Sequence, residues 1–163
     1  MAATFSSQDM SNPMMILATL FMVVGLLFKV GAVPFHMWVP DIYEGAPTPI
    51  TGFMSVVGKA AAFAVILRIF MDSLVALEPI WLMSVAGISV LTMTIGSFVA
   101  LVQNNIKRML AYSSIAHAGF LLLGLIAGGE GGMASIMLYM LIYTFMNLGL
   151  FAIIVLLGKG ASS

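Results

Sequence analysis

Residues 28–59 read FKVGAVPFHMWVPDIYEGAPTPITGFMSVVGK: an apolar helix interrupted at Gly31 and Pro34, a short acidic surface loop, and a second apolar helix. Each helix carries a lysine deep within it, Lys29 in the first and Lys59 in the second. A charge in hydrocarbon costs at least about 2.5–3.5 kcal/mol on insertion scales. Two such lysines so close in sequence, in a chain with only six Lys and Arg, need a reason. For an ionisable group inside a membrane that reason is ordinarily ion or proton movement.

The composition sets the medium. Of 163 residues 62% are hydrophobic and 7% charged, against roughly 25% charged in soluble domains. The chain is therefore an all-α integral membrane protein whose surroundings are the lipid bilayer. A net charge of zero and few basic residues argue against nucleic acid as a partner. The absence of cysteine removes iron–sulfur ligation, zinc–thiolate sites and a thiol nucleophile. Two histidines on different helices, with no carboxylate close by, support no metal site, and the fifteen methionines read as gap-filling apolar packing. Residues 1–12 hold Asp9 but no Lys or Arg, unlike the basic start of a signal peptide.

Five apolar segments are long enough to cross a bilayer, which takes roughly 20 residues: about 13–38, 49–70, 80–102, 109–127 and 133–157, in a single membrane domain. Ser11 or Asn12 suits the N-cap before Pro13, and Thr48 the N-cap before Pro49. Pro34 lacks an N–H and clashes with the carbonyl of Val30, so the first span should bend or open just after Lys29. Carbonyls freed at that depth need protein or a wet cavity to receive them. Replacing Gly31 and Pro34 by alanine should then restore helix and add local stability. Trp38 and Tyr43 suit the membrane interface. Gln103 to Arg108 reads as a short basic turn, the run Gly128 to Gly132 as a flexible link, and the end as a Gly/Ser tail. Alternation puts Lys107, Arg108 and Lys159 on one side and only Arg68 on the other, so the former side is cytoplasmic by the positive-inside rule.

Lys29 lies about nine residues before Trp38, roughly 13 Å along a helix. A lysine side chain spans about 6 Å, so snorkelling is difficult unless the helix unwinds at Gly31. Lys59 is about ten residues, on the order of 15 Å, from either end of its span. No acidic residue lies at its depth, which leaves water, a backbone carbonyl or a carboxylate outside these residues as its partner. Burial penalises an ammonium against the neutral amine and so lets a lysine gain and lose protons. His117 shares a helical face with Ser113 and Ser114, placing a group of near-neutral titration inside a span. It is either a proton relay or a structural donor to a neighbouring carbonyl. Tyr139, Tyr143 and Asn147 form an i, i+4, i+8 stripe that reads as helix packing through hydrogen bonds. His36, Asp41 and Glu44 border an ordinary surface loop. The glycine run is no phosphate loop, since it follows a membrane span, holds no lysine and precedes no strand.

FKVGAVPFHMWVPDIYEGAPTPITGFMSVVGKAAAF and NNIKRMLAYSSIAHAGFLLLGL resemble the antiporter-like membrane subunits of respiratory complex I, and within them the subunit N group, across about residues 25–125. DIYEGAPTP followed by a lysine ten residues after the second proline favours that group over its sister subunits and the sodium/proton antiporters. The resemblance implies about fourteen helices built on two inverted five-helix repeats. This chain would supply the last two helices of the first repeat and the first three of the second. It also implies a lysine relay for proton translocation. Lys29 matches the lysine of the broken helix, which in the family pairs with an upstream glutamate. Lys59 matches the central-axis lysine, and His117 a polar position on the hydrated path. That glutamate and a later charged residue on a second broken helix are absent, so the chain is expected to be a fragment or an unusually short protein. By the same resemblance no cofactor sits in this chain. NADH, FMN, iron–sulfur clusters and quinone belong to partner subunits, the chain's partners being other complex I membrane subunits. The implied location is the bacterial inner membrane, with an organelle inner or thylakoid membrane as the alternative. Other functions open to the same residues are a subunit of a cation/proton antiporter or membrane-bound hydrogenase, or a non-catalytic membrane scaffold.

Overall fold

The computed structural model describes residues 12–160, with the side chains of 159 and 160 left out; Ser11 and Asp9, and the side chain of Lys159, lie outside what is described. Helix α1 spans Pro13–Val30, with Asn12 as its N-cap accepting from the Met14 N–H. Helix α2 spans Trp38–Gly45. Helix α3 runs over Thr48–Ser73, α4 over Glu78–Leu101, α5 over Ile106–Ala127 and α6 over Gly129–Gly160. All but α2 are long and apolar enough to cross a membrane, which makes this a multi-pass membrane chain.

The first span ends earlier than the apolar run suggests. Gly31 adopts the left-handed conformation (φ 73°, ψ 36°) and its N–H reaches back to the carbonyls of Leu27 and Phe28. That closing turn is the ordinary way for glycine to stop a helix. The backbone groups so freed are taken up by protein. Trp38 Nε1 donates to the Phe28 carbonyl at 3.1 Å, and the Val33 N–H donates to Thr92 Oγ1 at 3.0 Å. Trp38 therefore folds back beside the end of α1, and the 13 Å separation from Lys29 along a continuous helix does not exist.

The acidic stretch is helix, not surface loop. Pro40 falls within the first turn of α2, where a missing N–H costs little. Val39 and Tyr43, four residues apart on one face, are buried. Tyr43 is 3% exposed, so it is a core residue rather than an interfacial one. Helix α3 begins at Thr48 after Pro47, with no side-chain cap; Thr51 rather than Thr48 bonds the preceding turn, through the Tyr43 and Pro47 carbonyls. The helix then widens into π geometry over Met54–Gly58 and again over Ile69–Ser73, so this span is broken too. Asn105 caps α5 by accepting from the N–H groups of Lys107 and Arg108, which puts both basic residues of the expected turn inside the helix. The glycine run is also mostly helical: only Gly128 interrupts, with α6 starting at Gly129. Gly132 is needed for contact, because a Cβ there would strike the Gly124 carbonyl of α5.

Helix α5 is the axis of the bundle. In its most apolar stretch 56% of residues are buried, with α3 next at 50% and α1, α4 and α6 at 22%. The α4–α5 pair approaches through small residues. A Cβ on Gly96 would lie 2.6 Å from the Ala116 nitrogen, and one on Gly119 2.8 Å from the Met93 nitrogen. Ser89 Oγ donates to the Gly119 carbonyl at 2.8 Å. Lipid is as apolar as leucine, so packing of this kind rather than hydrophobic burial holds membrane helices together.

Candidate functional site

Lys59 is 5% exposed in the middle of α3, immediately after the π turn. Its Nζ donates to Ser114 Oγ at 2.6 Å and also to the Ser114 backbone carbonyl. The carbonyl is one of the three partners open to this lysine from sequence. The other face of the ammonium lies 5.6 Å from the centroid of the Tyr143 ring on α6, a cation–π distance. Among the described residues no carboxylate forms an ion pair with it. An ammonium there is held by dipoles and a ring face, with no counter-charge among the described residues.

Ser114 carries a second contact. The Tyr43 hydroxyl of α2 lies 3.3 Å from Ser114 Oγ, so two side chains converge on one serine. Among the described residues Ser113 has no side-chain hydrogen bond of this kind, while His117, one turn along α5, faces α6. Its Nδ1 lies 2.6 Å from the Tyr139 hydroxyl, and its ring stands edge-on to Tyr143 at 5.2 Å. Two members of the α6 stripe thus bracket the histidine. The third, Asn147, donates to the Tyr143 carbonyl of its own helix. The Tyr143 hydroxyl is buried without a partner among the described residues.

Lys29 sits differently. It occupies the last turn of α1, where the helix dipole favours a cation, and it is exposed. Among the described residues it forms no ion pair. It does share a cavity of about 370 Å³ with Lys59, walled by Trp38, Tyr43, Met54 and Gly58. The structure therefore brings both lysines to one space, and sets His117 behind the Tyr143 ring that covers Lys59.

The acids of α2 have a mechanical task. Arg108 Nη1 contacts Asp41 Oδ1 at 3.0 Å and Glu44 Oε2 at 2.8 Å. Asn105 Nδ2 donates to Glu44 Oε1 at 2.9 Å, and Lys107 Nζ donates to the Ala46 carbonyl at 2.9 Å. These contacts tie the middle and the C-terminal end of α2 to the start of α5, and so seat Tyr43 over Ser114. The Gly- and Pro-rich sequence of this stretch reads as loop and so hides Tyr43 as a site residue. The signal available was the Val39–Tyr43 spacing, which aligns only once 38–45 is helical.

The arrangement defines an integral membrane protein with an ionisable group held uncompensated inside its helix bundle. The chain belongs to the NADH:quinone oxidoreductase/Mrp antiporter transmembrane family, whose profile matches residues 1–162. It is 63% identical over 149 residues to NADH-quinone oxidoreductase subunit N 2 of Rhizobium meliloti, covering 91% of this chain and 31% of that protein. It is 51% identical over 160 residues to the corresponding protein of Solibacter usitatus, covering 98% of this chain and 32% of that one. Among solved structures, respiratory complex I from Thermus thermophilus with bound aureothin matches with a TM-score of 0.75 at 38% identity, over 88% of this chain and 31% of that chain. The Mrp complex from Dietzia sp. matches with a TM-score of 0.79 at 23% identity, over 86% of this chain and 26% of that one, a likeness of fold alone. The chain spans about a third of the length of these relatives.

Proposed function

We propose that these residues form the lysine-bearing part of a proton-translocating membrane subunit of an NADH:quinone oxidoreductase. The observation that carries this reading is Lys59, buried at mid-span, bonded to Ser114 and sharing a cavity with the exposed Lys29. A proton taken up at Lys29 Nζ crosses that cavity to Lys59 Nζ. Lys59 then releases it along the polar face of α5, where His117 Nδ1 and the Tyr139 hydroxyl already share a hydrogen bond. The exposed side of Lys29 awaits an acidic partner from the rest of the protein. In this reading electron transfer belongs to partner subunits of the complex. A chain without cysteine offers no thiolate for iron–sulfur clusters, and NADH, FMN and quinone bind elsewhere in the assembly.

The test is Lys59→Ala in the full-length protein within its complex. Proton pumping and coupled oxidoreductase turnover should fall, while assembly on native gels stays near normal. Full pumping by the alanine variant would overturn the relay. Loss of assembly instead would favour the scaffold role.

A further inference from the structure

The relay reading needs a device that makes proton release from Lys59 depend on what happens in the broken first span. We propose that Tyr43 is that positioning residue: its hydroxyl and the Ser114 hydroxyl form a two-state pair whose direction is set by the charge on Lys59. This inference rests on the relay reading and concerns a residue outside it.

The chemistry follows from counting hydrogens. Ser114 Oγ has one hydrogen to give and two lone pairs to receive. It stands 2.6 Å from Lys59 Nζ and 3.3 Å from the Tyr43 hydroxyl. An ammonium has only hydrogens to offer. When Lys59 is charged it donates to Ser114 Oγ, and the serine hydrogen turns to the Tyr43 oxygen. The neutral amine keeps its N–H on the Ser114 carbonyl and turns the lone pair it gains toward Ser114 Oγ. Ser114 then donates to Lys59, and Tyr43 donates to Ser114. One proton leaving Lys59 Nζ therefore reverses two hydroxyls, with no bond to carbon made or broken and no heavy atom displaced.

Tyr43 is suited to this by where it is anchored. It is 3% exposed, yet it belongs to the short helix α2, which is joined to α1 through the left-handed Gly31 turn. The outer face of α2 is pinned by Arg108 through Asp41 and Glu44. Tyr43 also walls the cavity that holds both lysines. A shift of α2 would lengthen the Tyr43–Ser114 contact and not the Lys59–Ser114 one, since only Tyr43 is carried by α2, and would withdraw the acceptor that favours charged Lys59.

The experiment compares Tyr43→Phe, which keeps the ring, with Ser114→Ala and Lys59→Ala in the full-length protein in its assembled complex. The titratable and charged groups facing this site are Lys29 across the cavity, Tyr43 on α2, His117 on α5, and Tyr139 and Tyr143 on α6, so the pH profile of proton flux is read for each variant. Tyr43→Phe should lower flux by roughly two- to tenfold, the rate equivalent of one hydrogen bond, and should move the midpoint of the profile. Ser114→Ala should move it too, and Ser113→Ala should leave it in place. If Lys59→Ala abolishes flux but Tyr43→Phe leaves flux and midpoint unchanged, the two-state pair is wrong and the relay stands. If Lys59→Ala leaves flux intact, the relay falls and this inference with it. Should Tyr43→Phe fail to assemble, an unmoved midpoint in Ser114→Ala overturns the proposal by itself.

Discussion

Trp38 donates its indole N–H to the carbonyl of Phe28, and the two rings stand 5.8 Å apart. One side chain beyond the break thus closes the end of α1 and covers the turn next to Lys29. The break is a built terminus with its own partners, not a helix waiting to be straightened.

Gly31→Ala should therefore destabilise the protein, opposite to what helix propensity alone suggests. A φ of 73° in a residue with a Cβ costs about 1–2 kcal/mol, and that Cβ would stand 2.6 Å from Val39 Cγ2. Thermal unfolding of the full-length variant in detergent should show a lowered midpoint, and hydrogen exchange across residues 29–35 should speed up. Slower exchange with a raised midpoint would mean that the left-handed turn is not the native one.

Gly96 and Gly87 lie on the same helix and should respond with opposite signs. A Cβ on Gly96 meets the Ala116 backbone at 2.6 Å, whereas one on Gly87 meets nothing within 4 Å. Gly96→Ala forces α4 away from α5, with an overpacking cost of about 1–3 kcal/mol. Gly87→Ala should be neutral or stabilising by up to about 1 kcal/mol, the helix propensity difference. Equal melting shifts for the two variants would contradict the close α4–α5 approach.

Sidedness is best read at Asn104, which is exposed. Its neighbour Asn105 caps α5 and holds Glu44, so a cysteine there would cost about 1 kcal/mol and loosen α2. The chain has no cysteine of its own. Asn104→Cys should react with membrane-impermeant thiol reagents from the cytoplasmic face only. Labelling from the opposite face alone would invert the orientation drawn from Lys107 and Arg108.

Local chemistry made much of this protein readable from its sequence. Apolar runs of about twenty residues dictate spans because a backbone in lipid must satisfy its own hydrogen bonds. The break after Lys29 is legible for the same reason: Gly31 and Pro34 remove helical options that no neighbour restores. Lys59 was visible as a deep charge with no acid at its level, because depth along a helix is set by residue count. What the helices turn toward one another was not legible. In a soluble helix an apolar stripe marks the core face, but in these spans lipid-facing and protein-facing sides are both apolar. The phase of each helix therefore comes only from packing. That packing gave Lys59 a serine 55 residues away in sequence, turned Tyr43 inward, placed the Tyr143 ring over the ammonium, and left Lys29 on an outer face. It also folded residues 38–45 into a helix, because Val39 and Tyr43 have a face to bury only once α5 is there to receive it.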